Sequence, residues 1–480
     1  MATIIEIFGS VRNYFTRALR HPLGFLGLNG ASLSGVLLVT LLVLDFTGYH
    51  GNPYLGILTF LILPIVFVCS LLLIPIGEFR YKKRLLRRKP SKELPLYLSL
   101  DLNNPRHRNR FTVIAILTLV NFTILGIVSF RGMEFMDSVH FCGETCHQVM
   151  NPEWVAHQNS PHARVLCVDC HIGSGADWYV KAKLSGVRQV FATLFNTFPR
   201  PIPTPIHNLR PARDTCEQCH WPEKFHGDKV KVIPHFEDDE ANTELKTVLL
   251  LKVGGGVAGN QDRGIHWHVL NHVEYDSDES RENIYNIRVI QSNGDTLRYA
   301  WKGKEPPKNE ILEPRVMDCV DCHNRPTHIY SMPDAALDNA LFWGVIPQSL
   351  PNIRGIGYRV LTTKYASRED AAIRIPELLR AGYQDKHPSV LQEMDPELSR
   401  TAQTLVGIYN KNIFPSMNVD WGTYPNHLGH EDFPGCFRCH DEEHVAENGD
   451  AISQDCSTCH TLLAIEEQDP KVLEVIFPKE

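Results

Sequence analysis

Twelve of the chain's 13 cysteines fall into six pairs, and each pair runs directly into a histidine. The groups are Cys142/Cys146–His147, Cys167/Cys170–His171, Cys216/Cys219–His220, Cys319/Cys322–His323, Cys436/Cys439–His440 and Cys456/Cys459–His460. Five read Cys-x-x-Cys-His, the spacing at which two thiols bond to the edge of a haem and the next imidazole reaches its iron. The first, Cys-Gly-Glu-Thr-Cys-His, has one more residue between its cysteines. Competing uses fit less well. Zinc needs two such pairs per metal and no obligatory histidine. A thioredoxin-like pair occurs once, beside a βαβ pattern. Disulfides do not select Cys-Cys-His six times. The reading is six covalently bound haems c, with His147, His171, His220, His323, His440 and His460 as proximal ligands. The remaining Cys69 lies in an apolar run and reads as a small buried hydrophobe.

Low-spin haems that only carry electrons take a second axial ligand, commonly His or Met. Of the 23 histidines, 14 besides the proximal six lie at or after His140. The distal candidates are His162, His226 or His235, His328, His430 and His444. His328 and His444 follow their own motifs closely, so each is expected to serve a neighbouring haem or to turn back on a packed pair.

These motifs need elements to position them. Three apolar runs occupy the first 131 residues: Ala31–Asp45 with a weaker stretch from Pro22, Tyr54–Gly77, and Phe111–Phe130. A spanning helix needs about 20 apolar residues, which the second and third supply and the first approaches. No small-residue cleavage site follows the first run, so a removed signal peptide does not account for it. The loop between the first two runs, Phe46–Pro53, has no Lys or Arg, whereas Glu78–Arg110 carries eleven. Positive loops stay inside. The N-terminus and the basic loop are therefore expected on the cytoplasmic side of a bacterial inner membrane, and everything after Arg131 outside. Haem c attachment, which takes place on the outer face, independently requires the same topology. Ile4–Leu19 is read either as an amphipathic helix along the inner surface or as a disordered tail.

Charge divides the same way. Residues 1–131 hold 15 Lys and Arg against 5 Asp and Glu, and residues 132–480 hold 33 against 50. The acidic outer part suits steering of a basic protein partner, or plain solubility, rather than nucleic acid. The expected organisation is a membrane anchor over 1–131, a haem domain with motifs one to three over 132–235, a β insertion over 236–312, and a C-terminal haem domain over 313–480 with a helical insertion. The fold class is thus three spanning helices plus a periplasmic multihaem domain, mostly helix and loop. Strands are expected at Thr243–Val253, at Gly264–Glu274 and on either side of Asn293-Gly294, a strong hairpin signal. Helices are expected at Asp334–Trp343 and Ser367–Arg374, with Pro376 breaking the second.

The first motif starts eleven residues after Arg131, a linker of about 17 Å if helical and at most about 40 Å if extended. Haem one is thereby tethered near the outer membrane face, within reach of lipid-soluble quinol. Residues 177–188 read as an interfacial helix, in which Lys181 or Lys183 can hydrogen-bond a quinol oxygen and Asp177 can take its proton. The bland alternative is lysines that snorkel to lipid phosphates.

The segment Phe141–Met150, Ser160-Pro-His162, Cys167-Val-Asp-Cys170-His171 and the Lys181/Lys183 helix resembles the NapC/NirT/NrfH quinol dehydrogenases, over roughly residues 130–225. That resemblance implies a quinol pocket beside haem one and an interfacial lysine, matching Lys181 or Lys183. It also implies a methionine ligand shortly after the first motif, for which Met150 is the nearest counterpart. Met150 is not at the family's spacing, and three apolar runs with six motifs exceed the family's usual single helix and four haems. Cys216–Phe225, Gly264-Ile-His-Trp-His268, Cys319–His328 and Gly435–His440 resemble the larger ImcH-like inner-membrane cytochromes of metal-reducing bacteria, a group described with seven haems. The implied function is oxidation of quinol, on balance menaquinol, with electrons passed to a periplasmic cytochrome or reductase, making the chain a quinol:cytochrome c oxidoreductase. The alternatives are a multihaem reductase of a nitrogen or sulfur oxyanion and a non-catalytic conduit subunit.

Overall fold

A computed structural model describes residues 21–46, 58–88, 103, 105–145, 147–173, 176–206, 210–221, 227–255, 264–291, 293–306, 312 and 314–478. The Ile4–Leu19 stretch lies outside these, as do Cys146 and His226 and the side chains of His147, Asp177 and Lys183. The chain divides into two compact units, one ending at Thr145 and the other beginning at Cys146.

The first unit is helical. The apolar runs fall within helices Pro22–Phe46, Leu63–Arg88 (entered through a π turn at Leu58–Ile62) and Pro105–Asp137. The first two are long and apolar enough to cross a membrane, over Pro22–Leu41 and Leu63–Tyr81. They pack closely because glycines line the crossing. A Cβ on Gly27 would stand 2.7 Å from the Ser70 carbonyl oxygen, and one on Gly77 would meet the backbone of Gly24. Leu38, Leu63 and Val128 bring all three helices into one small core. Many other apolar side chains turn outward, Leu33, Leu72, Leu119 and Phe122 among them. In water that arrangement wastes apolar area; against lipid it costs nothing. Cys69 also faces outward, contrary to the buried position expected of it. It is one position, about 100° of helix turn, from the buried Ser70, which meets the glycines.

The second unit holds two antiparallel sheets and a helical subdomain. β1 (Asp228–Phe236) and β2 (Glu244–Lys252) form a hairpin, and β8 (His460–Glu467) pairs on the other side of β2. The second sheet runs β6-β3-β4-β5-β7, from β3 (His272–Ser277), β4 (Ile284–Ile290), β5 (Thr296–Trp301), β6 (Arg315–Val316) and β7 (His444–Ala446). The β region is therefore larger than the single insertion expected, because it recruits strands from 228, 444 and 460. The Asn293-Gly294 turn does join two strands, with Gly294 at φ +89° and the Gln291 amide donating to the Asp295 carbonyl. The strand expected over Gly264–Glu274 is corrected. Trp267–Leu270 is a short helix, and β3 begins only at His272.

The helices Pro333–Phe342, Ile353–Leu361, Arg368–Lys386 and Asp395–Asn412 enclose a large apolar core. The break expected at Pro376 does not occur, and its helix continues to Lys386. An interior proline costs about 3 kcal/mol. Ala371, Ile375, Leu379 and Tyr383 are all fully buried along one face of that helix, and each large side chain buried repays about 1.5–3 kcal/mol.

Candidate functional site

Each regular motif winds into a single helical turn, which brings cysteines three apart onto one side and places the histidine at its end. The His323 amide donates to the Cys319 carbonyl at 2.7 Å, His220 to Cys216 at 2.8 Å and His440 to Cys436 at 3.1 Å. The fourth motif is capped on both sides. The Asp318 carboxylate accepts from the Cys319 amide at 2.6 Å, and the Asp321 carboxylate from the Asp318 amide at 2.7 Å.

The attachment cysteines are not equally enclosed. Cys170, Cys219 and Cys456 are exposed, whereas the other described motif cysteines are half-buried, Cys142, Cys167 and Cys439 among them. The contrast is clearest between the second cysteines of motifs three and five. Burial pushes the Cys439 thiol up to about 12. Cys219 instead stands at the surface, more open than the half-buried Cys439. The turn still holds Cys219 in register, its amide donating to the Cys216 carbonyl at 3.1 Å. The attachment expected at Cys219 is thus on an open edge of its motif.

Five of the motif histidines face a second imidazole. Ring centres lie 6.2 Å apart for His171–His328, 6.1 Å for His220–His162, 6.3 Å for His323–His266, 5.9 Å for His440–His268 and 6.2 Å for His460–His430. Two imidazoles on opposite sides of one metal put their ring centres about 6 Å apart, given metal–nitrogen bonds of about 2 Å. The planes meet at angles from 8° to 82°, which an axial pair tolerates because both planes contain the metal axis.

Backbone carbonyls aim the rings. Nδ1 of His162, His266, His268, His328 and His440 lies 2.6–3.1 Å from the carbonyl oxygens of Pro326, Val253, Ile265, Glu153 and Ser453 respectively. With Nδ1–H donated there, the Nε2 lone pair remains for the partner side. Burial holds the rings neutral, as ligation requires. It pushes His171 down to about 4, with His328 reinforcing the effect, and pushes His328 itself to about 4. His268, His323 and His460 are lowered by the same cause.

The motifs also adjoin one another in chain order. Burial, then the Cys216 thiol, raises Cys170, and Cys219 adds to the same effect. The Cys216 and Cys319 thiols are near enough to shift each other, Cys216 down and Cys319 up. Burial, then Cys436, raises both Cys322 and Cys459, the former to about 11. Motifs two to six therefore form one file. Two aspartates of the fourth motif tie it together. Asp318 accepts from the Ala212 amide at 2.8 Å, on the turn leading into motif three. Asp321, almost fully buried, accepts from the Tyr275 hydroxyl at 2.6 Å and from Arg315 at 3.0 Å. Its backbone carbonyl accepts from Arg438, inside motif five, at 2.6 Å. Burial, then Asp321, raises the Tyr275 phenol. On Arg315, burial opposes the charge, and Asp321 and Tyr275 together outweigh it. Among the described residues no group of three or more His, Cys, Asp and Glu side chains converges as a metal site, as a zinc centre would need.

A family model for the N-terminal region of NapC/NirT cytochromes c matches residues 105–201. The cytochrome c-type protein ImcH of Geobacter sulfurreducens is 40% identical over 448 residues, 93% of this chain and 88% of that protein. This chain belongs to the NapC/NirT cytochrome c family. The nitrite reductase subunit NrfH of Nitratidesulfovibrio vulgaris is 35% identical over 108 residues, 20% of this chain and 62% of that one. No solved structure matches. As a multihaem member of the NapC/NirT cytochromes, the chain carries covalently bound haem c, and its paired rings beside paired thiols fit that group.

Of the sequence candidates, the structure brings His162, His328 and His430 to motif histidines. It does not bring His235, whose Nδ1 lies 3.3 Å from Asp338 in the helical subdomain. Nor does it bring His444, which is fully buried with Nδ1 against Asp441 and Nε2 3.0 Å from the Ile284 carbonyl oxygen. With both nitrogens engaged, His444 has no lone pair for iron. In their place stand His266 and His268, which the sequence marked only as part of a shared segment. Met150 is half-buried one turn into the His147–Gln158 helix. Lys181 is exposed on the Ala176–Leu194 helix, with Nζ 4.7 Å from the Trp178 ring centre. Leu184, Val187, Phe191 and Leu194 present an exposed apolar row on the same helix.

Proposed function

We propose that this cytochrome oxidises quinol, on balance menaquinol, at the outer face of the inner membrane and delivers single electrons to a periplasmic cytochrome or reductase. Six haems c are held by the six Cys-Cys-His motifs, behind three spanning helices with the N-terminus and the basic loop inside. The observation that carries the reading is the file of five paired imidazoles. A ligand on each side closes the iron to substrate, which suits electron transfer and not oxyanion reduction. Haem c supplies one-electron redox chemistry when bound. The residues do the rest. His328, His162, His266, His268 and His430 would hold the haems of motifs two to six together with the motif histidines, and the cysteines would fix spacing and orientation. Motif one follows the last apolar helix and marks the entry. There Lys181 or Lys183 orients a quinol oxygen, and the Asp177 carboxylate receives its proton. The apolar row from Leu184 to Leu194 seats that helix in the lipid interface.

The test compares His147→Ala with His460→Ala in membranes, reading reduction of bound haem by a menaquinol analogue and total haem by absorbance. Loss of reduction in the first and its survival in the second is the expected result. Normal reduction in a fully assembled His147→Ala protein would move the entry away from motif one. It would favour the conduit reading, in which a partner supplies the electrons. Reporter fusions after Pro90 and Glu480 check the topology; a periplasmic Pro90 signal contradicts it.

A further inference from the structure

Where the Pro22–Phe46 helix begins, the first unit carries an open pocket of about 420 Å³ lined by His21, Pro22, Leu23, Arg80, Lys83 and Arg84, its three cations exposed to solvent. The three cations stand at i, i+3 and i+4, on one face of the Leu63–Arg88 helix. Among the described residues none of them pairs with a carboxylate. The opposite wall is the N-terminal end of a 25-residue helix, the positive end of its dipole. Contact between Gly24 and Gly77 lets the two helices approach closely enough for the cations to reach it.

His21 adds a directed donor. It is only 6% exposed, and its Nδ1 accepts from the Leu23 amide at 3.2 Å. An accepting Nδ1 leaves the proton on Nε2, for which no partner stands among the described residues, and the residue lines the pocket. Every polar group here offers positive charge or a proton. The complementary ligand is a phosphate.

We infer that this pocket binds the phosphodiester headgroup of an anionic phospholipid. Neighbouring side chains favour a lipid over free phosphate. Phe25, Leu26, Ile76 and Phe79 are exposed apolar groups within one turn of the cations, and offer acyl chains a track down the same two helices. On the topology proposed above the site lies in the cytoplasmic leaflet, where cations near the surface bind anionic lipid. It would fix the depth of the helix pair without touching the redox path.

The test uses the haem-loaded full chain in detergent, with retained lipid counted by native mass spectrometry during titration with phosphatidylglycerol or phosphatidylcholine. Preferential retention of phosphatidylglycerol is expected, with affinity falling at least about tenfold in Arg80→Gln/Lys83→Gln/Arg84→Gln. An Arg80→Lys/Arg84→Lys variant should keep most of it, and His21→Ala should lose a smaller part. Unchanged Soret absorbance shows that each variant is assembled. Equal retention of the two lipids, or a triple variant that binds like the parent, overturns the site. Inorganic phosphate that displaces phosphatidylglycerol at low millimolar concentration overturns the lipid assignment in favour of a soluble phosphate. Detergent exposes both ends of the helices, so the result does not depend on topology. Retained preference with a periplasmic Pro90 fusion would support the site and overturn only the topology.

Discussion

Two parts of the second unit solve the problem of a core in opposite ways. Between Pro333 and Asn412 the helices bury Leu337, Ile353, Leu361, Ile375, Leu379, Leu398 and Leu405 completely. Between 147 and 221, which holds motifs two and three, the buried apolar side chains among the described residues are Ala156, Ala212 and Pro152. The first region stabilises itself through about 25 cal/mol for each Å² of apolar surface removed from water. The second has no comparable area to bury. Its paired cysteines and histidines mark where a covalently attached haem would add the apolar area that the side chains there do not supply. The electron carrier would then support the fold in one region and have no part in it in the other.

The sharpest way to break this contrast is Cys319→Ala/Cys322→Ala. Removing the attachment at the centre of the file should lower the steady-state amount of protein in membranes by roughly tenfold, read by immunoblot. Normal accumulation with one haem fewer would show that the motif region holds itself together. The matching change in the self-sufficient region is Leu379→Ala. A cavity there should cost about 2–5 kcal/mol in denaturant unfolding of the helical subdomain while haem content and spectra stay unchanged. His266→Ala tests the ligand pairs directly. It leaves His323 unpaired and should convert one low-spin haem to high spin by EPR, with the others unaffected.

Smaller effects sharpen the same comparison. Burial lowers His171 and His328 to about 4, below the ordinary imidazole value of about 6.5. The fold therefore favours the neutral rings, and their contribution is complete above about pH 6.5 and lost as pH falls toward 4. Low-spin signals should thus be constant from pH 7 to 8 and decline only in acid. A midpoint near neutrality would contradict the burial. Ser367→Ala removes the cap whose hydroxyl accepts from the Asp370 amide, and should cost about 1 kcal/mol in the helical subdomain alone.

What the sequence disclosed follows from how far apart the cooperating atoms are. A haem's covalent bonds require cysteines three residues apart and a histidine next door, so five motifs could be read directly. How deeply each thiol sits is set by neighbours from elsewhere in the chain, so nothing in the motif foretold that Cys219 is open and Cys439 covered. Distal ligands carry no local constraint either. His328 follows motif four by five residues but faces His171 of motif two, and its neighbour Pro326 aims His162 at motif three. His444 looked equivalent to it and is instead sealed between Asp441 and Ile284. The pair His266 and His268 straddles Trp267, and the short helix there turns them toward different motifs, a detail hidden by the apolar pattern that suggested a strand. Pro376 misled for a related reason, since the buried face that overrides it packs against residues as far off in the chain as Phe236, Leu337 and Leu405.

β8 gives the chain a further property. It begins at His460, the histidine of the last motif, and completes a sheet whose first strand starts at Asp228. Without β8, β2 keeps one side bare. An unpaired strand edge is what proteases and aggregation both exploit. The sixth Cys-Cys-His motif and the strand that closes that sheet share one short segment, so loss of that segment removes a motif and bares a sheet edge together.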